Sequence, residues 1–600
     1  MEAEGAPKAK PVRLSTRWQV DEPIPLPEYP RPQLVRENWQ NLNGWWKFAI
    51  LPAEAGQPAT WQGRIRVPYA PESALSGVGR VLQPGERLWY QRKFTVEAGA
   101  GERLLLHFGA VDHDCQVWLN GDLIGEHHGG YLPFTFDITN ALDKAENEIV
   151  LAVQDASDST SDQRGKQTLR PGGIWYTPVS GIWQTVWLEL MPLEYLRSVR
   201  LTPALAGGTL TINADVATEG GLDGLVVEAE ARLDGQVVAE AEGAVGQDLV
   251  LGIPDARAWH PDHPTLYDLR LRLKRAGKVL DQVESYFAMR DYSRKRDVDG
   301  FWRFTLNGQP LFLFGPLDQG YYPDGLYTPP SEAAMLYDLE YAKRIGCNMV
   351  RKHVKVEPAR WYATCDRLGL IVWQDFPNGG RVSAASVALN GFTTAFRRDD
   401  RQGYKRFGRE NAANRTAFEA ELREMVACLY SAPSVAAWVP FNESWGQFDA
   451  MRIASMVRAL DPTRLVDHAS GWFDQGGGDF NSQHIYFSRL KAPRLDHRLF
   501  ALSEFGGYSL KIAGHVWDEN KKFGYRFFDT PAELTRAYLA LLTEQVKPLI
   551  RQGVAAAIYT QTTDVETEIN GYLTYDREVE KMDANLLRKA HQDLIQSLSS

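Results

Sequence analysis

Between Leu311 and Asp564 the sequence carries eight apolar runs of strand length, and each one ends in polar or charged residues. The runs are LFLFGPLD, NMVRKH, LIVWQD, VAAWVPFNE, RLVDHA, QHIYFS, LFALSEFG and AAAIYTQTTD. Amphipathic segments of helical period follow most of them, among them SEAAMLYDLEYAKRIG, PARWYATCDRLG, AFEAELREMVACLYSA, DAMRIASMVRAL, PAELTRAYLALLTEQVKPLIRQG and DANLLRKAHQDLIQSL. A near-continuous apolar strand followed by an amphipathic helix is the pattern of a parallel sheet covered by helices. Eight such units predict a C-terminal (β/α)8 TIM barrel over residues 289–600, with irregular connections after the fifth and sixth strands.

The 600 residues exceed what one hydrophobic core serves, so further domains must precede the barrel. Short alternating runs broken by Gly, Asn and Asp turns, such as RLWYQRKFTV, RLLLHFGA, CQVWLNGDLIG and TVWLEL, predict a β-sandwich over residues 1–192. A second all-β stretch includes TLTINADVA, LVVEAEARLDG, LVLGIP and TLYDLRLRLKRAGKVLDQVESYF. Its size suits an immunoglobulin-like sandwich over residues 193–288, expected to act as a spacer. No internal repeat points to a propeller or solenoid.

The net charge of −10 and pI near 5.8 lack the basic stripe that nucleic acids require. No stretch is apolar and long enough to span a bilayer, and Met1–Arg17 holds no signal-like apolar core, so no membrane partner and a cytoplasmic location are expected. Cys115, Cys347, Cys365 and Cys428 form no CxxC pair, and no HExxH is present, so neither a disulfide framework nor a metal or cofactor is expected. The 18 Trp and 24 Tyr supply flat apolar faces with hydrogen-bonding edges, which match the C–H faces of pyranose rings. The partner expected is a carbohydrate.

A TIM barrel presents its chemistry at the C-terminal ends of its strands. There the sequence offers Asp318, Arg351 with His353, Asp375, Asn442 with Glu443, Asp467 with His468, His484 with Tyr486, Glu504, and Gln561 with Asp564. Glu443 and Glu504 close the fourth and seventh strands, which face each other across the mouth. Two facing carboxyls about 5–5.5 Å apart are the machinery of retaining glycoside hydrolysis. Trp438, Phe441 and Trp445 flank Glu443 and would supply the less polar setting that an acid needs. Trp361, Trp373, Trp445, Trp472 and Trp517 are candidates to stack on sugars, with Trp472 and Trp517 favoured for their loop settings. The insertion 376–410 is long enough for a lid or a subunit contact.

At WVPFNESWGQ, SEFGG and TQTTDVETEINGYLTYDRE the sequence resembles glycoside hydrolase family 2, the family of β-galactosidases, β-glucuronidases and β-mannosidases. LNGWWKF, DCQVWLNGDLIGEHHGGYLPFTFDIT and GGIWYTPVSGIWQTVWLE resemble its N-terminal sugar-binding-type jelly roll. The resemblance implies Glu443 as acid/base, Glu504 as nucleophile, and Asn442 on the sugar 2-hydroxyl. It also implies Arg351 as the residue orienting the nucleophile, Tyr486 as a hydrogen-bonding partner of it, Asp375 on a sugar hydroxyl, and possible homo-oligomers. The Asn-x-Lys that grips a uronate carboxylate is missing at Ile569-Asn570-Gly571-Tyr572, which speaks against a uronide, and the resemblance of the closing TDVETEINGYLTYDRE segment favours a galactoside. Asn520, Lys521 and Lys522 stand as a substitute cationic grip. β-Mannosidase or α-L-arabinopyranosidase activity, transglycosylation, and a noncatalytic carbohydrate-binding protein are the alternatives.

Overall fold

The computed structural model describes residues 14–598 except 19, 21–22, 97–98, 100, 144–145, 382–397 and 492–495. Much of the 376–410 insertion therefore lies outside the described residues, and so does the expectation of a lid or subunit contact there. Its described flanks fold inward, with Phe376, Phe407 and Arg409 buried.

The N-terminal region is a two-sheet sandwich with sheets of four and six antiparallel strands. Alternation along the strands sends Trp46, Ile65, Leu88, Tyr90, Leu104, Leu106, Val117, Ile149 and Leu151 into one shared core. A second sandwich of seven strands, Tyr195–Phe287, pairs sheets of three and four strands around Leu210, Ile212, Val227, Leu269, Leu271 and Val283. A three-stranded meander over Tyr292–Pro310 follows. Its Tyr292, Phe304 and Leu306 pack with Leu313, Met349, Ile371 and Ala436, so it closes the N-terminal end of the barrel.

The barrel is a parallel sheet of eight strands: Leu313–Asp318, Met349–Lys352, Ile371–Asp375, Val435–Val439, Leu465–Val466, Phe480–Ile485, Leu499–Gly506 and Val554–Thr560. These are the eight segments expected. The first strand pairs with the second and the eighth, and neighbours follow in order to the fifth on one side and the sixth on the other. The seam between fifth and sixth is held by Asp479, whose N–H donates to Val466 O at 2.7 Å and whose carboxylate accepts from Val466 N at 2.9 Å. No helix follows either of those strands among the described residues.

Two boundaries differ from expectation. The fourth strand stops at Val439, so Phe441, Asn442 and Glu443 lie in the turn beyond it. The sixth strand starts at Phe480, earlier than its apolar run, and ends before Tyr486, because ladder pairing to Leu499–Phe505 extends it through the polar Asn481 and Ser482.

Candidate active site

The turn after the fourth strand throws Glu443 into the barrel mouth. Glu443 and Ser444 both adopt left-handed backbone, φ +49° and +64°. That conformation disfavours L side chains and is met mostly where tertiary contacts impose it. Here Glu443 N donates to Ser470 O at 2.9 Å and Trp445 N to Asn442 O at 3.0 Å, which pin the turn. Glu504 arrives from the seventh strand, and one carboxylate oxygen of each glutamate lies within 4.8 Å of the other, with a ring nitrogen of His484 within 4.8 Å of both.

The surroundings of the two carboxyls differ. Burial raises Glu443 to about 7, against the pull of Lys166 and then Arg351 toward the charged form. Glu504 Oε1 instead accepts from Arg351 Nη1 at 3.2 Å, and its Oε2 accepts from the Tyr486 hydroxyl. Arg351 is fully buried and fully used. Its Nε and Nη2 donate to the two oxygens of Asp375 at 2.9 and 3.0 Å, Nη1 also reaches Ser503 O at 2.9 Å, and Nη2 reaches Asn442 Oδ1 at 2.8 Å. One guanidinium thus sets the positions of Glu504, Asp375 and Asn442 together.

His484 joins the two glutamates: its Nδ1 pairs with Glu443 Oε1 at 2.8 Å, and its Nε2 lies 3.5 Å from Glu504 Oε1, 3.2 Å from Ser470 Oγ and 3.4 Å from Arg351 Nη1. Burial lowers His484 to about 4, which keeps the ring neutral. Gly471 makes room for the ring: a Cβ there would stand 2.7 Å from three of its atoms. Trp472 is half-buried beside His484, with ring centroids 6.2 Å apart.

His353 Nδ1 pairs with Asp375 Oδ2 at 2.8 Å, while its Nε2 and Asn442 Nδ2 are buried with no hydrogen-bond partner. Burial drives His353 well below the ordinary histidine range, so it stays neutral.

Some residues expected at the sugar are committed elsewhere. Asp318 forms a buried ion pair with Lys352 at 2.8 Å and accepts from Gly320 N at 3.0 Å, because Lys352 and Lys355 need carboxylate partners in this interior. Asp375 has both oxygens on Arg351 and His353, so it supports the site rather than standing free for a hydroxyl. Asp564 is tied to Lys581 at 2.6 Å. Trp517 packs edge-on against Tyr575. Trp361 and Trp373 are core residues. Asn520, Lys521 and Lys522 are exposed, and Lys522 lies over Phe527, which removes them as a cationic grip.

Other groups at the site were not foreseen. Tyr525 stacks on Tyr486 at 3.9 Å, the rings 4° from parallel. Glu568 accepts from the Tyr176 hydroxyl and, at 2.9 Å, from Asn570 Nδ2. Lys166 and Trp175 come from the N-terminal sandwich. Trp175 stacks on the buried Trp445 at 4.5 Å, and Lys166 Nζ lies 4.3 Å over the Trp445 ring. The phrase GGIWYTPVS carries two of these residues, but nothing local in it signals that its loop crosses to another domain.

Three family models match in this order: glycosyl hydrolases family 2, sugar binding domain, over residues 80–192; glycosyl hydrolases family 2 over 194–290; and glycosyl hydrolases family 2, TIM barrel domain, over 325–495. A β-galactosidase of Thermoanaerobacter pseudethanolicus is 27% identical over 63% of this chain and 47% of its own length. A putative β-glucuronidase of Formosa agariphila is 26% identical over 78% of this chain and 57% of its own. The chain thus spans about half the length of these relatives. Among solved structures, a Ruminococcus gnavus β-glucuronidase superposes with a TM-score of 0.73 at 18% identity, covering 94% of this chain and 99% of that one. A β-galacturonidase of Eisenbergiella tayi superposes at 0.69 with 17% identity, covering 94% and 98%.

Proposed function

The chain belongs to glycosyl hydrolase family 2; from this premise we propose that it is a glycosidase of that family, a retaining exo-β-glycosidase. The observation that carries the reading is the pair Glu443 and Glu504, with oxygens within 4.8 Å of each other and in contrasting surroundings. An inverting enzyme keeps its carboxyls roughly 6.5–9.5 Å apart to admit a water between them, and this separation is too short for that.

In the first step Glu504 attacks the anomeric carbon, forming a bond from its carboxylate oxygen to C1. The C1–O bond breaks, and Glu443 gives its proton to the departing oxygen. In the second step Glu443, now a carboxylate, takes a proton from water as the water oxygen attacks C1 and Glu504 leaves. Arg351 and Tyr486 hold Glu504 on its line of attack, and His484 fixes Glu443 Oε1. Asn442 Nδ2 and His353 Nε2 are the donors or acceptors left for ring hydroxyls.

For the glycone, the first reading is a galacto-configured sugar, for which the β-galactosidase relatives speak. A second reading, a β-glucuronide, is favoured by the Formosa relative and by the cation Lys166 at the cleft. The test is a panel of 4-nitrophenyl β-glycosides in galacto, gluco and manno configuration, neutral and C6-oxidised, run beside Glu504→Gln. Release of nitrophenol that disappears with Glu504→Gln supports the hydrolase. Release that persists in the variant, or silence throughout, counts against it, and a gluco or manno sugar outpacing its galacto counterpart of equal charge overturns the first reading.

A further inference from the structure

The loop 161–180 leaves the N-terminal sandwich and is riveted onto the barrel mouth. Gln163 Nε2 donates to Glu421 at 2.5 Å, Arg164 N and Gly165 N donate to Asn378 O at 2.8 and 3.0 Å, and Gly173 N donates to Thr567 Oγ1 at 3.2 Å. Further along, Thr177 N donates to Glu566 at 2.8 Å and the Tyr176 hydroxyl to Glu568. Between these anchors sits Lys166, with 5% of its surface exposed. Its backbone is held by Tyr176 N on its carbonyl at 3.0 Å.

Among the described residues the Lys166 ammonium makes no hydrogen bond and no ion pair. It rests on the Trp445 and Trp175 faces, 4.3 and 5.9 Å from their centroids. A buried ammonium without a carboxylate is costly, and the other buried lysines of this barrel are paired: Lys352 with Asp318 and Glu357, Lys355 with Glu357, Lys581 with Asp564. Lys166 is nonetheless the strongest charge felt by both Glu443 and Glu568, and His353 and His484 feel it too. It therefore lies over the cleft between the fourth-strand and eighth-strand walls. Glu568 does not consume it, since its two oxygens are held by Tyr176 and Asn570.

We infer that Lys166 reads charge on the sugar: it is the counter-ion of a carboxylate at C6 of the glycone, so the preferred substrate is a β-hexuronide. In a β-pyranoside the glycosidic oxygen and C6 flank the ring oxygen. A cation near the carboxyl that protonates the first, yet not bonded to it, is within reach of a carboxylate on the second. The hexuronate supplies the anion that the buried ammonium lacks, and the two neighbouring tryptophans keep water from screening the pair. The inference rests on the glycosidase reading and adds to the galacto preference the charge at C6.

The test is made in the Glu504→Gln protein, where binding is read without turnover. Affinities for D-galacturonate, D-glucuronate, D-galactose and D-glucose are measured by calorimetry, with and without Lys166→Met, alongside kinetics of the Lys166 variants in the active enzyme. The acid sugars are expected to bind more tightly than their neutral partners. Lys166→Met is expected to cut that acid-to-neutral ratio by roughly 10–100-fold, the worth of a charged hydrogen bond, and Lys166→Arg to restore part of it. Lys166→Gln serves in the same way if the Met variant does not fold. Equal affinity for acid and neutral sugars, or a ratio unchanged by loss of the ammonium, overturns the inference. So does an equal slowing of all substrates with a shifted alkaline limb, which would make Lys166 a partner of Glu443 instead. A silent kinetic panel with an intact binding preference would sink the hydrolase reading while leaving this one standing.

Discussion

In the proposed mechanism Glu443 holds a proton near neutrality and then gives it up, and its burial suits that role. Because burial raises it to about 7, activity should fall as pH rises through that value, and Glu443→Gln should lose this alkaline limb. The same shift affects folding. The folded value lies above the ordinary 4.5, so the contribution is complete below 4.5 and is lost as pH climbs through 7. Glu443→Gln should therefore be more stable than the parent at pH 8 by about 3 kcal/mol, with the gap closing near pH 4.5, as denaturant melts at both pH values will report. On the kinetic side, Glu443→Ala should lose roughly 10²–10⁴-fold on alkyl glycosides but much less on 4-nitrophenyl glycosides, whose leaving group needs little acid help. Equal losses on both would move the acid role to another group. Glu504→Gln should be inactive on either substrate.

At the scale of elements, the loop 161–180 does more for the site than its residue types announce. Gly165 has φ +61°, and a Cβ there would stand 2.6 Å from Val354 O, a backbone atom that cannot turn away. Gly165→Ala should lift Lys166 from the cleft at a cost of about 1–3 kcal/mol in stability. The expected signature is a kcat/KM that falls by more than the melting temperature suggests. Wild-type kinetics in this variant would show that the loop tolerates displacement. Element identity was largely legible beforehand, because periods of 3.6 and 2 are written in the sequence. The eight barrel strands, the helices after most of them and the all-β character of the middle sandwich follow from spacing. Ends were less legible: the fourth strand stops before Glu443 because the Asn442–Ser470 contacts bend it away, and those contacts join residues far apart along the chain.

At the scale of the whole molecule, the site is complete only where two domains meet. Thr328 Oγ1 donates to Trp183 O at 2.7 Å, Tyr69 donates to Pro330 O at 3.0 Å, and Asp324 accepts from Thr16 N at 2.9 Å, so the sandwich is sewn to the barrel well beyond the loop. Calorimetric unfolding is expected to show the sandwich and the barrel melting together. Two well-separated transitions would mean that these buried contacts carry little energy. Residues 289–600 expressed alone should show no turnover even where far-UV circular dichroism reports folded barrel, since Lys166 and Trp175 are lost with the sandwich.

The sequence by itself determined the architecture and the meeting of Glu443 and Glu504 at one barrel mouth. Apolar periodicity is a local property, and two glutamates at opposite strand ends of a barrel have only one mouth to meet in. Tertiary structure decided the rest. Asp318 and Asp375 were indistinguishable from sugar ligands until Lys352 and Arg351 were seen to occupy them, because a buried charge takes whatever partner folding brings to it. Lys166 stood unremarked in a loop more than a hundred residues from the barrel, and only the docking of one domain on another turned a surface-type residue into a buried cation above the cleft.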